Sequence, residues 1–425
     1  MKRATVPTPK YDDGVPLNHL YALASPERVD SLRRALIVMV AALCVRIIGA
    51  FVLGEGAPFG PDGTGAEASV FLGGHPYPLH IMMLRLFDAD ARALSMFCGA
   101  LNCVLLWLWG KKVGLGEAGG WIAVAAPLSV FPGVLAGGDA PALTVALLGI
   151  LIATRGGLTA IIGGVIAALS ITVKPIALPA LVLLAASPTA ALGAGGTLLI
   201  LRSFIQPLWS PMPTGGILGT WWVSSGGAPP GDWLSWLING AGVLAGADGW
   251  ALIPVLGIAA VVGTLKAPTL RLRGASLCPL AAALLIASLF GGRLELRYLS
   301  AAFIAALPFL GLILRKRLAV TTLSLLCLWP SAALITQLAT VRAAQDPQAQ
   351  LPSVMEVTWP KVDAAPLFQA CSTEGATRLR NLAFQLAEVA PEGSTIITEP
   401  RSDGREGELF WPLRVLRPDL KVAVR

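Results

Sequence analysis

Charge is scarce in this sequence. Of its 425 residues only 13% are Asp, Glu, Lys or Arg, against about a quarter in an average soluble domain. Charged side chains normally cover a water-facing surface. A chain that is 55% apolar, with a mean hydropathy of +0.70, is therefore excluded from the ordinary soluble globular class. Histidine and cysteine are also few. Three His and six Cys, without CxxC or HxxxH spacing, give no zinc signature. Cys44, Cys98, Cys103, Cys278 and Cys327 lie in or beside apolar runs, where a thiol acts as a small hydrophobe, and Cys371 stands alone in the C-terminal tail. An intradomain disulfide in that tail is thereby excluded.

What the chain does have is a series of apolar runs of roughly the length that crosses a ~30 Å hydrocarbon core. Gly (46) and Pro (32) are abundant, as expected where neighbouring helices accommodate breaks and close contacts. The runs predict an all-α polytopic membrane protein of about eleven spans. Their positions are 35–54, 93–110, 119–137, 140–154, 158–173, 175–187, 191–209, 249–266, 274–291, 298–314 and 318–338. The division within 158–187 is set at Lys174-Pro175, because proline lacks the backbone donor and clashes with the preceding turn. Residues 1–34 are polar and the first apolar run is long, unlike a cleavable signal, so it is expected to remain as the first membrane helix.

The net charge of +7 does not point to nucleic acid, because the basic residues sit between apolar runs and not on one face of a compact domain. Lys2, Arg3, Lys10, Arg28, Arg33 and Arg34 precede the first span. Lys111, Lys112, Arg155, Lys266, Arg271, Arg273, Arg315, Lys316 and Arg317 fall on the same side, whereas the long loop 210–248 carries no Lys or Arg. Positive loops stay in the cytoplasm. The N-terminal tail 1–34 is thus expected inside and, after an odd number of spans, the tail 339–425 outside, in the periplasm of a bacterial inner membrane. Arg85, Arg92, Lys174, Arg293 and Arg297 break the rule on the outer side. Either they snorkel to lipid headgroups or they form an anion site. Arg46, inside the first span, either faces the bundle or snorkels.

Two outer loops are too long for plain turns. Residues 55–92 run into HIMMLRLFDADARAL, whose mixed apolar and charged residues predict a helix along the interface. Residues 210–248 carry Trp221, Trp222, Trp233 and Trp236, which favour the membrane boundary. In the tail, TRLRNLAFQLAEVA has helical spacing, TIIT reads as a strand, and LFWPLRVL and LKVAV are further strand candidates. A small α/β domain packed on the membrane module 35–338 is expected there.

Four segments carry the functional reading: FGPDGTGAEASVFLGGHPYPLH, LAGGDAPALTVALLGILI, GLTAIIGGVIAALSITVKPIALPALVLL and GGRLELRYLSAAFIAALPFL. In this order they resemble the GT-C superfamily, the multispanning glycosyltransferases that use polyprenyl-phosphate-linked sugars, and within it the bacterial protein-mannosyltransferase-like branch (glycosyltransferase families 39 and 83). The resemblance covers roughly residues 35–315. It implies a GT-C-like bundle in which Asp62, Asp139-Ala140-Pro141, Lys174-Pro175 and Arg297-Tyr298, with Pro308 downstream, are the matching positions. The first-loop acid of that family is commonly followed by another acid and an aromatic. Here Asp62 is followed by Gly63-Thr64-Gly65, and Glu67 is the candidate to take up the missing role.

The chemistry of such a transfer asks for a base on the acceptor and cations on the departing phosphate. Asp62 is the candidate base, with Glu67 and Asp139 as further acids; Lys174, Arg293, Arg297 and Tyr298 are candidates for the phosphate, Arg offering a bidentate fork. Each has a plainer alternative. Asp62 can be a turn former, Glu67 a solvated loop charge, Asp139 a helix N-cap, and Arg293, Glu295 and Arg297 can pair with one another. His75 and His80 flank a Pro-Tyr-Pro turn and could join Asp62 and Glu67 around a divalent cation, at a spacing that matches no known pattern. The expected partners are a polyprenyl-phosphate-sugar donor, a glycolipid, polysaccharide or protein acceptor, and membrane lipid. The rivals are a flippase or transporter of lipid-linked sugars and a degenerate scaffold of the same fold. Transporters often show two related halves with matching broken helices, and the break at 158–187 has no partner later in the chain.

Overall fold

The computed structural model describes residues 26–53, 78–87, 91–134, 137–208, 238, 241–242, 244, 252–290, 296–314, 316–345, 388–398 and 421–424. The first apolar run becomes α1 (Pro26–Leu53), and the short α2 (Pro78–Arg85) precedes α3 (Ala91–Lys112). The chain continues through α4 (Ala118–Ala125), α5 (Pro127–Val134), α6 (Asp139–Ala153) and α7 (Gly157–Leu169). Two 3-10 segments, Ser170–Thr172 and Pro175–Ala186, lead to α8 (Pro188–Leu208). After α9 (Leu252–Lys266) and α10 (Leu270–Phe290) come a 3-10 turn at Leu296–Leu299, α11 (Ser300–Ala306), a 3-10 segment at Leu307–Leu312, and α12 (Arg317–Gln345).

Among the described residues three stretches, Val29–Val52, Arg92–Lys112 and Leu270–Ser288, are long and apolar enough to cross a membrane. The outside of the bundle is apolar as well. Leu36, Phe51, Leu158, Leu192, Leu199, Leu265 and Leu318 are all more than half exposed, which water would penalise and lipid would not.

Proline decides where the spans break. The expected single span over 119–137 is two helices, because Ala126 takes ψ 133 ahead of Pro127, the extended backbone that a residue before proline prefers. Lys174 does the same ahead of Pro175, with φ −167 and ψ 136. The segment that follows is a 3-10 helix of 12 residues with Pro179 inside it. At about 2.0 Å per residue it reaches about 24 Å, further than an α-helix of that length.

Packing is centred on α3. Of its most apolar stretch 72% is buried, against 28% for α1, so α3 is a core helix and α1 a peripheral one. Trp107 is fully buried, and Trp109 meets Phe309 edge-on at 6.3 Å. Small residues let helices approach closely, as lipid-embedded bundles require. A Cβ on Gly149 or Gly163 would run into the backbone of the facing helix of the α6–α7 pair, and one on Gly164 would run into Ala190 at the start of α8. The hydroxyls of Ser324 and Ser331 on α12 donate to the carbonyls of Trp121 and Ala125 on α4.

Two expectations change in detail. The predicted interfacial helix through HIMMLRLFDADARAL ends at Arg85 and turns at Leu86 and Phe87, while its last four residues open α3. It also does not simply rest on a surface, since His80 and Leu84 are buried. In the tail, β1 (Thr395–Thr398) pairs in parallel with β2 (Lys421–Val424), Thr395 opposite Lys421. LFWPLRVL, most of the tail helix and loops 55–77 and 210–237 lie outside the described residues.

Candidate active site

The site is assembled around the start of α6. Asp139 is the first residue of that helix and Gly138 caps it, so the Asp139 carboxylate is one position too late to be the N-cap. It turns instead to the Lys-Pro break. Lys174 Nζ lies 2.8 Å from Asp139 Oδ1, with side-chain exposures of 14% and 6%. Oδ1 accepts no well-aligned hydrogen bond there, so the contact is held by charge, in surroundings where charge counts for far more than in water. Lys174 is therefore turned into the bundle, not snorkelling away from it.

The extended backbone at Lys174 has a direct cause. The turn before it is closed by the amides of Val173 and Lys174, both donating to Ser170 O at 3.0 Å. Pro175 then forbids helical geometry at Lys174, and the side chain is thrown toward α6. His80, on α2, completes the group. A Cβ on Gly138 would lie 3.4 Å from His80 Cε1 and Nδ1 and from Lys174 Cβ, so imidazole and lysine stem flank the glycine that precedes Asp139.

α3 fixes this end of α6 through polar side chains. Ser95 Oγ donates to Gly137 O at 2.8 Å and accepts from Gly137 N at 3.2 Å. Asn102 Nδ2 donates to Ala140 O at 3.1 Å. The Thr144 hydroxyl, with one proton, reaches Asn102 Oδ1 at 2.8 Å, Ala140 O at 3.0 Å and Cys98 O at 3.1 Å. Ser95 and Asn102 are two helical turns apart and share a face. Sequence reasoning missed all three residues. The available signal was their polarity within otherwise apolar spans.

Of the other candidates, Tyr298 is half-buried against the main core, in the 3-10 turn at Leu296–Leu299 that carries Arg297. The helix following that turn, α11, packs against both α5 and the Pro175–Ala186 segment. The Lys-Pro and Arg-Tyr motifs thus open elements that touch. Asp62, Glu67, His75 and Arg293, and the side chain of Arg297, lie outside the described residues. Among the described residues no group of three His, Cys, Asp or Glu is arranged to hold a metal.

Arg46 is fully buried and faces the bundle. Nη1 donates to Ala42 O at 3.0 Å, and Nη2 to Ser129 O at 3.0 Å, Ser129 Oγ at 3.3 Å and Cys103 Sγ at 3.5 Å. Its guanidinium slots between Gly99 and Gly133, where a Cβ would lie 2.6 Å and 2.5 Å from Nε. It ties α1, α3 and α5 together.

No protein-family model matches the chain, and no curated protein matches it. Among solved structures the chain is similar to the crystal structure of ArnT from Cupriavidus metallidurans bound to undecaprenyl phosphate. The identity is 16%, the match covers 94% of this chain and 86% of that one, and the TM-score is 0.48.

Proposed function

We propose that this chain is a GT-C glycosyltransferase of the bacterial inner membrane that moves a sugar from a polyprenyl-phosphate donor to a lipid, glycan or protein acceptor on the periplasmic face. The observation that carries the reading is the Asp139–Lys174 contact at 2.8 Å. It joins two of the four family-like motifs, distant in sequence, in one nearly buried group. The remaining described motif, Arg297-Tyr298, lies in the 3-10 turn directly before α11, and α11 packs against the Lys-Pro segment.

In this reaction an acceptor hydroxyl oxygen attacks the anomeric carbon, the bond from that carbon to the phosphate oxygen breaks, and polyprenyl phosphate leaves. Inversion at the anomeric carbon is part of the family likeness. Asp62 takes the acceptor proton, with Glu67 as its alternate. Lys174 neutralises charge growing on the leaving phosphate. It remains more exposed than Asp139, so an arriving anion meets the cation first, while Asp139 holds that cation in position. Arg293, Arg297 and Tyr298 complete the phosphate end. The tail 339–425 is the outer domain.

The test is transfer by purified protein from a labelled polyprenyl-phosphate sugar, followed by release of polyprenyl phosphate. Asp62→Asn should lower the rate by roughly two orders of magnitude or more, the usual scale for loss of a general base. Lys174→Ala and Arg297→Ala should weaken donor binding, the pair by less than the sum because they share one ligand. Arg297→Lys should be intermediate, since charge stays and the fork is lost. Unchanged donor affinity in both well-folded single variants would reduce these residues to interface anchors and remove the transferase reading's physical support.

A further inference from the structure

A cavity of about 710 Å³ lies at the other end of α3, between the start of α1, the 114–118 turn and the start of α12. The 16 residues of α3 from Ser95, beside the start of α6, to Lys111, beside Glu117, rise about 24 Å at 1.5 Å per residue, so the cavity is well separated from the Asp139 group. Its wall is preformed. Gly114 and Gly116 take φ 80 and 96, a backbone open to glycine at no steric cost. The amides of Leu115 and Gly116 close onto Gly110 O at 2.8 and 3.1 Å. The interior is apolar, with Ile37, Trp121, Leu312 and Val320, and the rim is ionic.

The rim charges do not cancel. Arg34 holds Asp30 at 2.7 Å and Glu117 at 3.6 Å, and Lys111 shares Glu117 at 3.9 Å. Both acids are thereby matched, and Arg33 and Arg317 have no carboxylate partner among the described residues. Beside this rim the bundle flank is lipid-facing, with Leu36 61% and Leu318 79% exposed. The basic loops assign this end to the cytoplasm, where the leaflet carries anionic lipid and basic pockets between spans bind its headgroups.

We infer that this cavity is a binding site for an anionic glycerophospholipid of the cytoplasmic leaflet. Its phosphate sits between Arg33 and Arg317, and its acyl chains run along the exposed flank of α1 and α12. A soluble phosphate would use the two arginines but gain nothing from the apolar interior. The inference stands on the membrane reading and is independent of the transferase reading.

The test uses the full-length protein purified in neutral detergent, with lipid binding followed by native mass spectrometry and by the thermal midpoint. Phosphatidylglycerol should bind and raise the midpoint, while phosphatidylcholine and glycerol phosphate should not. In the Arg33→Gln/Arg317→Gln variant, phosphatidylglycerol binding should weaken by about tenfold or more. Arg33→Lys/Arg317→Lys should retain most of it and serves as the folding control. Lys266→Gln/Arg271→Gln, neutralised at the same end but outside the cavity lining, should bind like the unaltered protein. Equal loss in the two Gln pairs would mean bulk surface charge and overturn the site. So would equal stabilisation by phosphatidylcholine, or full stabilisation by glycerol phosphate alone. Absence of a phosphatidylglycerol effect would overturn it too, including the case where the effect emerges only once residues 1–25 are removed and the chain's own N-terminus is the occupant.

Discussion

At one end of α3 a carboxylate and an ammonium meet with 6% and 14% of their side chains exposed. At the other end Arg34, Asp30 and Glu117 meet at 36%, 53% and 31% exposure. The ion types are comparable, but the surroundings differ. An exposed pair gives little, because water and salt screen it and two side chains lose freedom. A buried pair has already left its hydration behind, so neither member can lose the other without stranding a charge. The first arrangement therefore constrains the fold, whereas the second leaves its charge open to solvent.

The largest effect should come from splitting the buried pair. Lys174→Met should destabilise the protein by about 3–5 kcal/mol, seen as a lower thermal midpoint in detergent. Adding Asp139→Asn to Lys174→Met should restore much of that loss, because no lone charge remains. If the double variant were as unstable as the sum of the singles, the contact would not be a coupled pair and the contrast between the two ends would fail.

A middle-sized effect is expected at the buried Arg46, an ion held, among the described residues, by two carbonyls, a hydroxyl and a thiol and not by a carboxylate. Gly99→Ala would place a Cβ 2.6 Å from Arg46 Nε and 2.8 Å from Gly133 Cα, and should cost about 1–3 kcal/mol, the scale of overpacking in a close-packed core. A midpoint equal to that of the unaltered protein would mean that this slot is looser than its geometry. The smallest effect belongs to the exposed network. Glu117→Gln should leave the midpoint unchanged within error, and raising salt should change the unaltered protein little. A marked loss on Glu117→Gln would show the Glu117 end to be coupled as tightly as the Asp139 end.

How much of this is legible in the sequence differs from residue to residue. The break at Lys174-Pro175 is legible, because proline acts on its own neighbour and needs no tertiary context. The same rule holds at Ala126-Pro127, where the long apolar run 119–137 masks the α4–α5 break. Lys174 stands out as a cation out of place, and Asp139 as an acid at a span start. That they face each other is not readable, nor is the role of Ser95, Asn102 and Thr144 in holding that span start. Those contacts depend on how α3, α6 and the 3-10 segment rotate against one another.

What the sequence determined by itself is local and additive: apolar run lengths, proline breaks and the charge of each loop. The capacity of a run to cross a membrane depends on its own length and composition, and a dihedral preference on its own neighbours. Only the tertiary structure decided which charges pair. It set Lys174 on Asp139, slotted Arg46 between two glycines, and brought Glu117 to Arg34 and Lys111, whereas the Asp30–Arg34 pair is the i,i+4 spacing of a single helix. Coulomb energy depends on separation and on the local dielectric, and both are properties of packed helices, with no counterpart in the linear order of residues.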